Sequence, residues 1–423
     1  MQKELLTATK PNQVTTPGAT NIPFAPPFID QSTIDEVMDT LKSGWITTGP
    51  KVKALEEECR FFSASDACIC VNSWTSGAQL VLKWLGIGPG DEVIIPAYTY
   101  AATALVVLQT GAQPVMVDVL DDFTIDPQKV KEAITSKTKA IIPVDIAGWP
   151  CNYTALYEVL ELEDVQKLFS PQTEVQKMLG RILMLSDAAH SIGARYNNVP
   201  AAICSDITIY SLHAVKNITT AEGGVICLNL PAPFDNQQVY KWMKINSLNG
   251  QTKDAFSKLQ AGEWRYDIVS PGLKINMPDI CAAIGLSQIR QYESYLLPER
   301  RRIFDQYNQA FSSYQWVQVP TAQDKRRTSA CHLYPLRIYG ISEKQRDNII
   351  KLISEKNVSV NVHFIPLPML SLFRNAGFDM AHFPNAYHQY SREISLPIYP
   401  QLTEDQIDYI IQTVVEAYQY IMF

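Results

Sequence analysis

Two residues of this sequence could together perform amine chemistry, the acid Asp187 and the amine Lys216. Asp187 directly follows the apolar run 182–186, and Lys216 follows the next such run, 207–211. If both runs are strands of one sheet, the two side chains meet at the same sheet edge. Pyridoxal phosphate needs such a pair, a lysine for a Schiff base and an acid that keeps the pyridine nitrogen protonated. A strand-end salt bridge or two solvated charges would explain the same spacing.

A second group of polar residues could bind an anion. The segment Asn72-Ser73-Trp74-Thr75-Ser76-Gly77 directly precedes an apolar run with helical spacing over 78–85. Hydroxyls and free N–H groups at the start of a helix suit a phosphate. Ordinary capping of the helix explains the same residues, so this segment alone decides nothing.

The elements that must position these residues are short apolar runs separated by helical or turn segments. Such runs predict strands of a mostly parallel sheet buried on both faces. They lie at 93–95, 115–118, 140–144, 182–186, 207–210 and 225–228. Between the third and fourth runs, 153–162 and 165–179 mix charged and apolar residues at helical intervals, which predicts an inserted helical segment.

After residue 276 the pattern changes to a second α/β segment. A helical pattern over 281–295 leads to 332–338, 358–364 and a closing helix from about Glu404. The length of 423 residues also favours two lobes over one. We therefore predict a flexible tail over 1–20, a large domain over 21–289 and a small C-terminal domain over 290–423.

Composition excludes several classes of partner. The net charge of -7 comes with no long basic run, which argues against nucleic acid. The N-terminus lacks the apolar stretch of a secretory signal, and no apolar run approaches the ~20 residues of a membrane helix. Eight scattered cysteines favour a reducing cytoplasm. Cys68 and Cys70 are better explained as alternate positions of a buried strand than as zinc ligands, so no metal is predicted.

The segment around Lys216 makes the comparison with a known family specific. Residues 211–224, SLHAVKNITTAEGG, resemble the lysine motif of the DegT/DnrJ/StrS family of sugar aminotransferases. Further similar motifs lie at 43–50, 86–94, 96–100 and 362–367, and the resemblance extends from about Ile22 onward. It implies the α/β fold of type I pyridoxal-phosphate-dependent transferases, with a large domain built on a mostly parallel sheet and a smaller α/β C-terminal domain.

The resemblance also implies a role for each site residue. Lys216 is expected to bind pyridoxal phosphate covalently and to move a proton, and Asp187 to pair with the pyridine nitrogen. His190 is placed near the phenolic oxygen of the cofactor, and Tyr100 is placed as a stacked ring. Without the family, a core histidine and a core aromatic explain these two residues. The residues implied to hold the phosphate are Ser73, Thr75 and Ser211.

Other positions are implied to face the substrate or a partner chain. Family members are usually dimers, and the segment that contains Lys274 and Asn276 commonly reaches the neighbouring active site. Plain loop polarity explains both residues equally well. Thr48 and His363 resemble positions near the sugar nucleotide.

This sequence departs from the family pattern at several positions. Trp74 replaces a small glycine of the phosphate loop. It is counted among the cofactor-binding residues, although it could alter the backbone path or border the substrate. Ala221 replaces the glycine of the Thr-Thr-Gly-Glu-Gly-Gly run. Lys274 stands where asparagine is common, and Asn276 where arginine is common. Relatives that perform dehydration carry histidine in place of the lysine, and Lys216 argues against that reaction here.

The sequence thus predicts a cytoplasmic, homodimeric aminotransferase. We expect it to move an amino group from an L-amino acid, with glutamate as the expected donor, to a 3- or 4-keto sugar linked to a nucleotide. Two alternatives stay open: a keto-cyclitol as acceptor, and a sugar-nucleotide-binding protein that has lost turnover.

Overall fold

The secondary structure alternates short strands with helices through most of the chain. The computed structural model describes residues 21–253 and 265–423, so the predicted tail over 1–20 lies outside the described residues. The strands are β1 (Ala67–Val71), β2 (Glu92–Pro96), β3 (Gln113–Val117), β4 (Thr138–Ile141), β5 (Leu183–Asp187), β6 (Arg195–Tyr196), β7 (Val199–Pro200), β8 (Ile207–Ser211), β9 (Gly224–Leu228), β10 (Val317–Gln318), β11 (Arg327–Thr328), β12 (Tyr334–Ile338) and β13 (Glu393–Leu396).

Helices occupy both lobes and both faces of the main sheet. The α-helices are α1 (Gln31–Lys42), α2 (Pro50–Ser63), α3 (Trp74–Leu85), α4 (Ala102–Gln109), α5 (Pro127–Ala133), α6 (Tyr153–Leu160), α7 (Glu163–Leu168), α8 (Glu174–Leu179), α9 (Asn236–Asn246), α10 (Asp279–Gln291), α11 (Leu297–Phe311), α12 (Glu343–Glu355), α13 (Ser371–Asn375), α14 (Pro384–Tyr390) and α15 (Glu404–Met422). No helix in the described ranges combines the length and apolar character needed to cross a membrane.

The main sheet has seven strands in the order β1-β9-β8-β5-β4-β2-β3. Strand β9 runs antiparallel to β1 and β8, and the remaining neighbours pair in parallel. This confirms the predicted mostly parallel sheet. Because β5 and β8 are adjacent and parallel, the ends that carry Asp187 and the Lys216 loop lie side by side.

Alternate residues of the strands pack into cores on opposite faces of the sheet. In β8, Ile207 and Ile209 join a core with α3 and α4, whereas Tyr210 joins a core with α2 and α10. Cys68 and Cys70 alternate within β1, as predicted, and all eight cysteines are free thiols. Burial of both faces explains why the strands are continuous apolar runs.

Helix α3 directly follows β1, an edge strand of the sheet. Ser73 is its N-cap and accepts a hydrogen bond from the Ser76 N–H group. The start of the helix approaches β9 at Gly224, where an added Cβ atom would lie 2.7 Å from both the Ser73 carbonyl carbon and the Trp74 nitrogen. Only glycine permits this approach.

The inserted segment between β4 and β5 is helical, as predicted, and consists of α6, α7 and α8. It supports the far end of α3. Thr173 Oγ1 and Gln176 Nε2 both donate to the Leu85 carbonyl, at 3.1 and 3.0 Å. Carbonyl groups in the last turn of a helix lack partners inside the helix, so the insertion satisfies one that α3 leaves open.

The C-terminal part has its own hydrophobic core and its own sheet, in the order β10-β12-β13. Helix α15 begins at Glu404, which confirms the predicted closing helix. A π-helical turn, Tyr292–Leu296, joins α10 directly to α11. The division that we propose at residue 290 therefore falls within one continuous helical segment.

Candidate active site

A cavity of about 470 Å³ opens at the carboxyl ends of β5 and β8. Ligands of open α/β sheets bind in this position. Nine of the residues singled out from the sequence line it: Ser73, Trp74, Thr75, Tyr100, Asp187, His190, Ser211, Lys216 and His363. The structure therefore brings the predicted acid and amine into one cavity, and their roles toward a cofactor stay predictions.

Asp187 is a buried carboxylate held by two donors. Thr103 Oγ1 donates to Oδ2 at 2.9 Å, and the Ala189 N–H group donates to Oδ1 at 3.2 Å. Burial raises the pKa of Asp187 to about 7, although these hydrogen bonds and the charge of Lys216 act in the opposite direction. A cationic N–H partner in the cavity would favour the carboxylate form. Thr103 is not among the residues predicted from the sequence, where its only signal is its place one turn after Thr99 at the start of α4.

Lys216 is the amine of the cavity, and it is partly buried. Burial lowers its pKa to about 8, and the charge of Asp187 partly offsets this effect. A substantial fraction of the amine is therefore neutral near neutral pH. Only the neutral form can attack a carbonyl carbon, so the environment activates Lys216 as a nucleophile.

The residue after the lysine fixes the loop that carries it. Asn217 is buried, and its Nδ2 donates to the Tyr292 hydroxyl at 3.0 Å and to the Ala330 carbonyl at 2.9 Å. Its Oδ1 lies 2.9 Å from His332 Nδ1. With both amide hydrogens used, Oδ1 accepts from His332, which therefore carries its proton on Nδ1. Neither Asn217 nor His332 is among the site residues predicted from the sequence.

His190 presents one ring nitrogen to the protein. Its Nδ1 accepts from the Ala147 N–H group at 3.2 Å, so the neutral ring carries its proton on Nε2. Burial holds the pKa of His190 well below its ordinary value, and the charge of Lys216 adds to this effect. The ring of His332 lies 4.3 Å away, centroid to centroid. His190 can thus donate a hydrogen bond to an oxygen in the cavity.

His363 is anchored by a buried pair behind it. Its Nδ1 lies 2.9 Å from Ser395 Oγ, which in turn contacts Glu393 Oε1. Glu393 Oε2 accepts from the His363 N–H group at 3.1 Å. Burial lowers the pKa of His363 to about 3 and raises that of Glu393 to about 8. His363 therefore offers an uncharged ring to the cavity.

Aromatic rings surround the opening of the cavity. Phe24 stacks on His363 with 5.3 Å between ring centroids, and Phe364 lies 5.7 Å from Tyr100 and 5.8 Å from His190. Tyr100 is 63% exposed, which places it at the rim. Phe24 and Phe364 are not predictable as site residues from the sequence, because apolar rings carry no chemical signature of their own.

Three predicted residues lie outside this cavity and contact one another. Thr48 Oγ1 donates to the Met277 carbonyl at 2.6 Å, and Asn276 Nδ2 donates to Thr48 Oγ1 at 2.6 Å. Lys274 Nζ donates to Asn276 Oδ1. Within one chain these side chains do not line the cavity that contains Lys216.

The donors and acceptors of the cavity fit pyridoxal phosphate. A partly buried amine and a buried acid share it, and the start of α3 with Ser73, Thr75 and Ser211 offers hydroxyls to a phosphate. Trp74 lines the cavity as well, and its Nε1 atom is buried with no partner in the part of the chain that the structure describes. The fold and the site together define a pyridoxal-phosphate-dependent enzyme of the aminotransferase type.

Comparison with known proteins gives the family. Residues 27–415 match the DegT/DnrJ/EryC1/StrS aminotransferase family. The spore coat polysaccharide biosynthesis protein SpsC of Bacillus subtilis is 34% identical over 93% of this chain and 96% of its own. The putative sugar aminotransferase Spr1654 from Streptococcus pneumoniae, in its PMP form, is 43% identical, with a TM-score of 0.91 over 95% of this chain and 100% of its own. Its PLP form is 41% identical, with a TM-score of 0.90 over the same shares of the two chains.

The chain belongs to the DegT/DnrJ/EryC1/StrS aminotransferase family. It is a sugar aminotransferase with pyridoxal phosphate as its cofactor, and it has the type I fold of such enzymes. These findings confirm the predicted family, fold class, enzyme class and cofactor.

Proposed function

We propose that this enzyme transfers an amino group from an L-amino acid, with glutamate as the expected donor, to a 3- or 4-keto sugar linked to a nucleotide. The observation that carries the proposal is the presence of the partly buried Lys216 and the buried Asp187 in one cavity. The relatives support a sugar acceptor, and the name of SpsC supports a place in polysaccharide biosynthesis.

Each residue of the cavity has a part in this reaction. When bound, pyridoxal phosphate supplies a ring that withdraws electrons from the bonds being broken. Lys216 would hold it covalently and carry the transferred proton on Nζ. Asp187 would accept the N–H of the ring, and His190 would donate from Nε2 to the phenolic oxygen. Tyr100 would stack on the ring.

The remaining predicted residues would position the ligands. Ser73, Thr75 and Ser211 would donate to the phosphate of the cofactor. His363 would contact the sugar nucleotide, held in place by Ser395 and Glu393. The aromatic rings at the rim would exclude water from the reacting atoms.

We also propose a homodimer with active sites completed by the partner. Helix α1 exposes an apolar stripe in which Ile34, Met38 and Leu41 are 47%, 43% and 47% exposed. An exposed stripe at helical spacing is typical of an interaction surface. The proposed contribution of Lys274 and Asn276 to the partner's site agrees with their position outside their own cavity. Thr48 is proposed to lie near the sugar nucleotide.

The cytoplasm is the proposed location. The eight cysteines are scattered along the chain and do not form the pattern of a disulfide framework, which suits a reducing compartment.

Replacement of the lysine tests the proposed chemistry. Purified protein should show the absorbance of a lysine-bound cofactor, and glutamate should convert it to the amine form. Lys216→Ala should abolish both the absorbance and turnover, whereas Lys53→Ala, a change of an exposed lysine, should affect neither. Turnover retained by Lys216→Ala would refute the assignment.

A substrate panel separates the proposal from its alternatives. Keto-sugar nucleotides and keto-cyclitols are offered with glutamate, and the product is detected by its mass shift. Amination of nucleotide sugars supports the proposal, and amination of cyclitols alone replaces it with the first alternative. Binding of nucleotide sugars without conversion, and without any response to glutamate, would indicate the inactive homologue.

A further inference from the structure

His363 presents to the cavity a ring nitrogen that the protein leaves free. Its Nδ1 atom lies 2.9 Å from Ser395 Oγ, whereas its Nε2 atom has no hydrogen-bond partner among the described residues. The residue is partly exposed and lines the cavity that contains Lys216. Nε2 is not one of the unpartnered atoms of the described chain that are closed to solvent. A ligand oxygen in the cavity can therefore reach it.

Two other histidines of the cavity have a fixed polarity. Nδ1 of His190 accepts from the Ala147 N–H group, so Nε2 of the neutral ring carries the proton. Nδ1 of His332 donates to Asn217, so Nε2 of that neutral ring is bare. The partner of His363 is instead a hydroxyl group, which can either donate or accept. The structure therefore allows Nε2 of His363 to be a donor or an acceptor.

A buried carboxyl group behind Ser395 decides between these two states. Ser395 and Glu393 are fully buried in β13, and Ser395 Oγ contacts Glu393 Oε1. When Glu393 is ionised, it accepts from Ser395, which accepts from the Nδ1–H group of His363, and Nε2 is an acceptor. When Glu393 is protonated on Oε1, both hydrogen bonds reverse and Nε2 carries the proton. The ionisation of Glu393 thus changes the polarity of His363 in the cavity.

Charged groups of neighbouring elements act on Glu393. Arg337 lies opposite it on β12, and Arg346 of α12 donates from Nη1 to its carbonyl oxygen at 3.0 Å. Both cations favour the carboxylate, yet burial raises the pKa of Glu393 to about 8. The nearby Tyr98 hydroxyl stays neutral, since burial holds its pKa well above the ordinary value, and Lys216 is the cation on the cavity side. Glu393 therefore holds a proton near neutral pH.

We propose that Glu393 exchanges a proton with an oxygen atom of the sugar through Ser395 and Nε2 of His363. The inference rests on the proposed amination of a keto sugar, in which the carbonyl carbon forms a bond to nitrogen and its oxygen leaves as water. The oxygen gains two protons and the nitrogen loses two, so a group that lends a proton and takes one back balances the step. Burial lowers the pKa of His363 to about 3, so the ring passes the proton without itself becoming charged. Glu393 and Ser395 are thus positioning residues, and His363 contacts the sugar.

The tautomer of His363 tests the relay in the full chain with its cofactor bound. With ¹⁵N-labelled imidazoles, protonated and bare ring nitrogens give separate signals, and six histidines are expected from the sequence. The signals of His363 are those that disappear in His363→Gln. Between about pH 6 and about pH 10 its proton should move from Nε2 to Nδ1, with a midpoint close to the pKa of Glu393, about 8. A proton that stays on one nitrogen throughout would overturn the proposal.

Glu393→Gln removes the titrating group and keeps its shape. The proton of His363 should then stay on the same nitrogen over the whole pH range. Glu343→Gln is the matched control, because Glu343 also lies beside Arg346, at 3.9 Å, but does not line the cavity. This control should retain the change of tautomer. Retention of the change in Glu393→Gln would show that another group drives it and would overturn the relay.

Kinetic measurements show whether the relay serves the sugar. Glu393→Gln should lower kcat for the keto sugar about a hundredfold, while KM changes little. The ratio of the parent's rate to that of the variant should shrink above about pH 8, because the parent then also lacks the proton. Equal kcat values in the parent and in Glu393→Gln would overturn the role in amination.

Failure of the relay and failure of the proposed function give different results. The tautomer of His363 is measured without any sugar, and the signals of the parent protein decide the relay even if Glu393→Gln fails to fold. If the parent aminates no keto sugar, the proposed function fails, and the assignment of the relay to the sugar fails with it. If the parent aminates keto sugars and His363 shows no change of tautomer, only the relay fails.

Discussion

At the scale of single residues, the environment of Lys216 predicts a pH dependence. Its pKa of about 8 means that the neutral, attacking form increases roughly tenfold per pH unit below that value and levels off above it. The rate of cofactor attachment to the cofactor-free protein should follow the same curve. It can be measured by the absorbance change after mixing, with a free lysine derivative as the reference.

Asp187→Asn tests the electrostatic cause of the pH dependence of cofactor attachment at Lys216. The carboxylate raises the pKa of Lys216 against the larger effect of burial, so its removal should move the midpoint below 8. A midpoint that moves upward would contradict this electrostatic account. The same variant should lose turnover, because a neutral amide cannot keep the ring nitrogen protonated.

Ala221 provides a prediction about stability. Its φ is +65°, in the left-handed region that favours glycine, which explains the glycine of the family at this position. Ala221→Gly should therefore stabilise the fold by about 1 kcal/mol in urea unfolding, despite the greater entropy of the unfolded chain. Loss of stability would show that the loop is held by contacts that the backbone angle does not reveal.

Gly223→Ala is the matched change of opposite sign. A Cβ atom there would lie 2.0 Å from Thr220 Oγ1 and 2.7 Å from Met277 Cε. Because both neighbours must move, we expect a loss of about 1–3 kcal/mol in the same experiment. Ala221→Gly removes one methyl group and Gly223→Ala adds one, at positions two residues apart.

The sequence was sufficient to predict the residues at strand ends but not those that hold them. Asp187 and Lys216 follow apolar runs, and parallel strands end at one edge, so their meeting was predictable. Asn217 is fixed by Tyr292 and Ala330, which lie 75 and 113 positions away. No local pattern encodes such contacts, because they exist only once the C-terminal part has folded against the sheet.

At the scale of elements, the contact between α3 and β9 supports the phosphate site. Gly224→Ala would place a Cβ atom 2.7 Å from backbone atoms of Ser73 and Trp74, which cannot rotate away. The start of α3 should shift, and the dissociation constant of pyridoxal phosphate should rise at least about tenfold. Equilibrium dialysis together with thermal melting would measure both effects.

Gly88→Ala is the control for this change. No atom lies within 4 Å of a Cβ atom built there. It should leave cofactor affinity unchanged, and an equal loss in both variants would show that the effect is not specific to the helix start.

The segment 358–364, part of the predicted C-terminal α/β segment, forms no strand in the structure. The sequence places it in an α/β segment, but the structure has only isolated bridges there, at Val358 and Asn361. The N–H groups of Val362 and His363 donate to the side chains of Asn361 and Glu393 rather than to a neighbouring strand. Side-chain acceptors thus replace the backbone hydrogen bonds of a strand, and β13 is the strand that pairs with β12 in the C-terminal sheet.

At the scale of the whole molecule, the stripe on α1 predicts how the protein assembles. Met38→Glu places a charge at the centre of the exposed apolar residues Ile34, Met38 and Leu41. It should weaken a homodimer at least about tenfold, which sedimentation over a range of concentrations would detect. Tyr420→Glu, a change of a residue that is 78% exposed on α15, should have no effect. An unchanged dimer in Met38→Glu would exclude this face.

The continuous helix formed by α10, the π-helical turn and α11 also affects how the protein unfolds. Its first half is buried in a core of the large sheet and its second half in the C-terminal core, while Tyr292 at the turn bonds both Asn217 and the Ile192 carbonyl. Unfolding of either core would disorder this continuous helix, and the other core depends on the same helix. Heating should therefore melt the two lobes in one cooperative step, and a gene truncated at residue 289 would yield a fragment with a severed helix instead of an autonomous module.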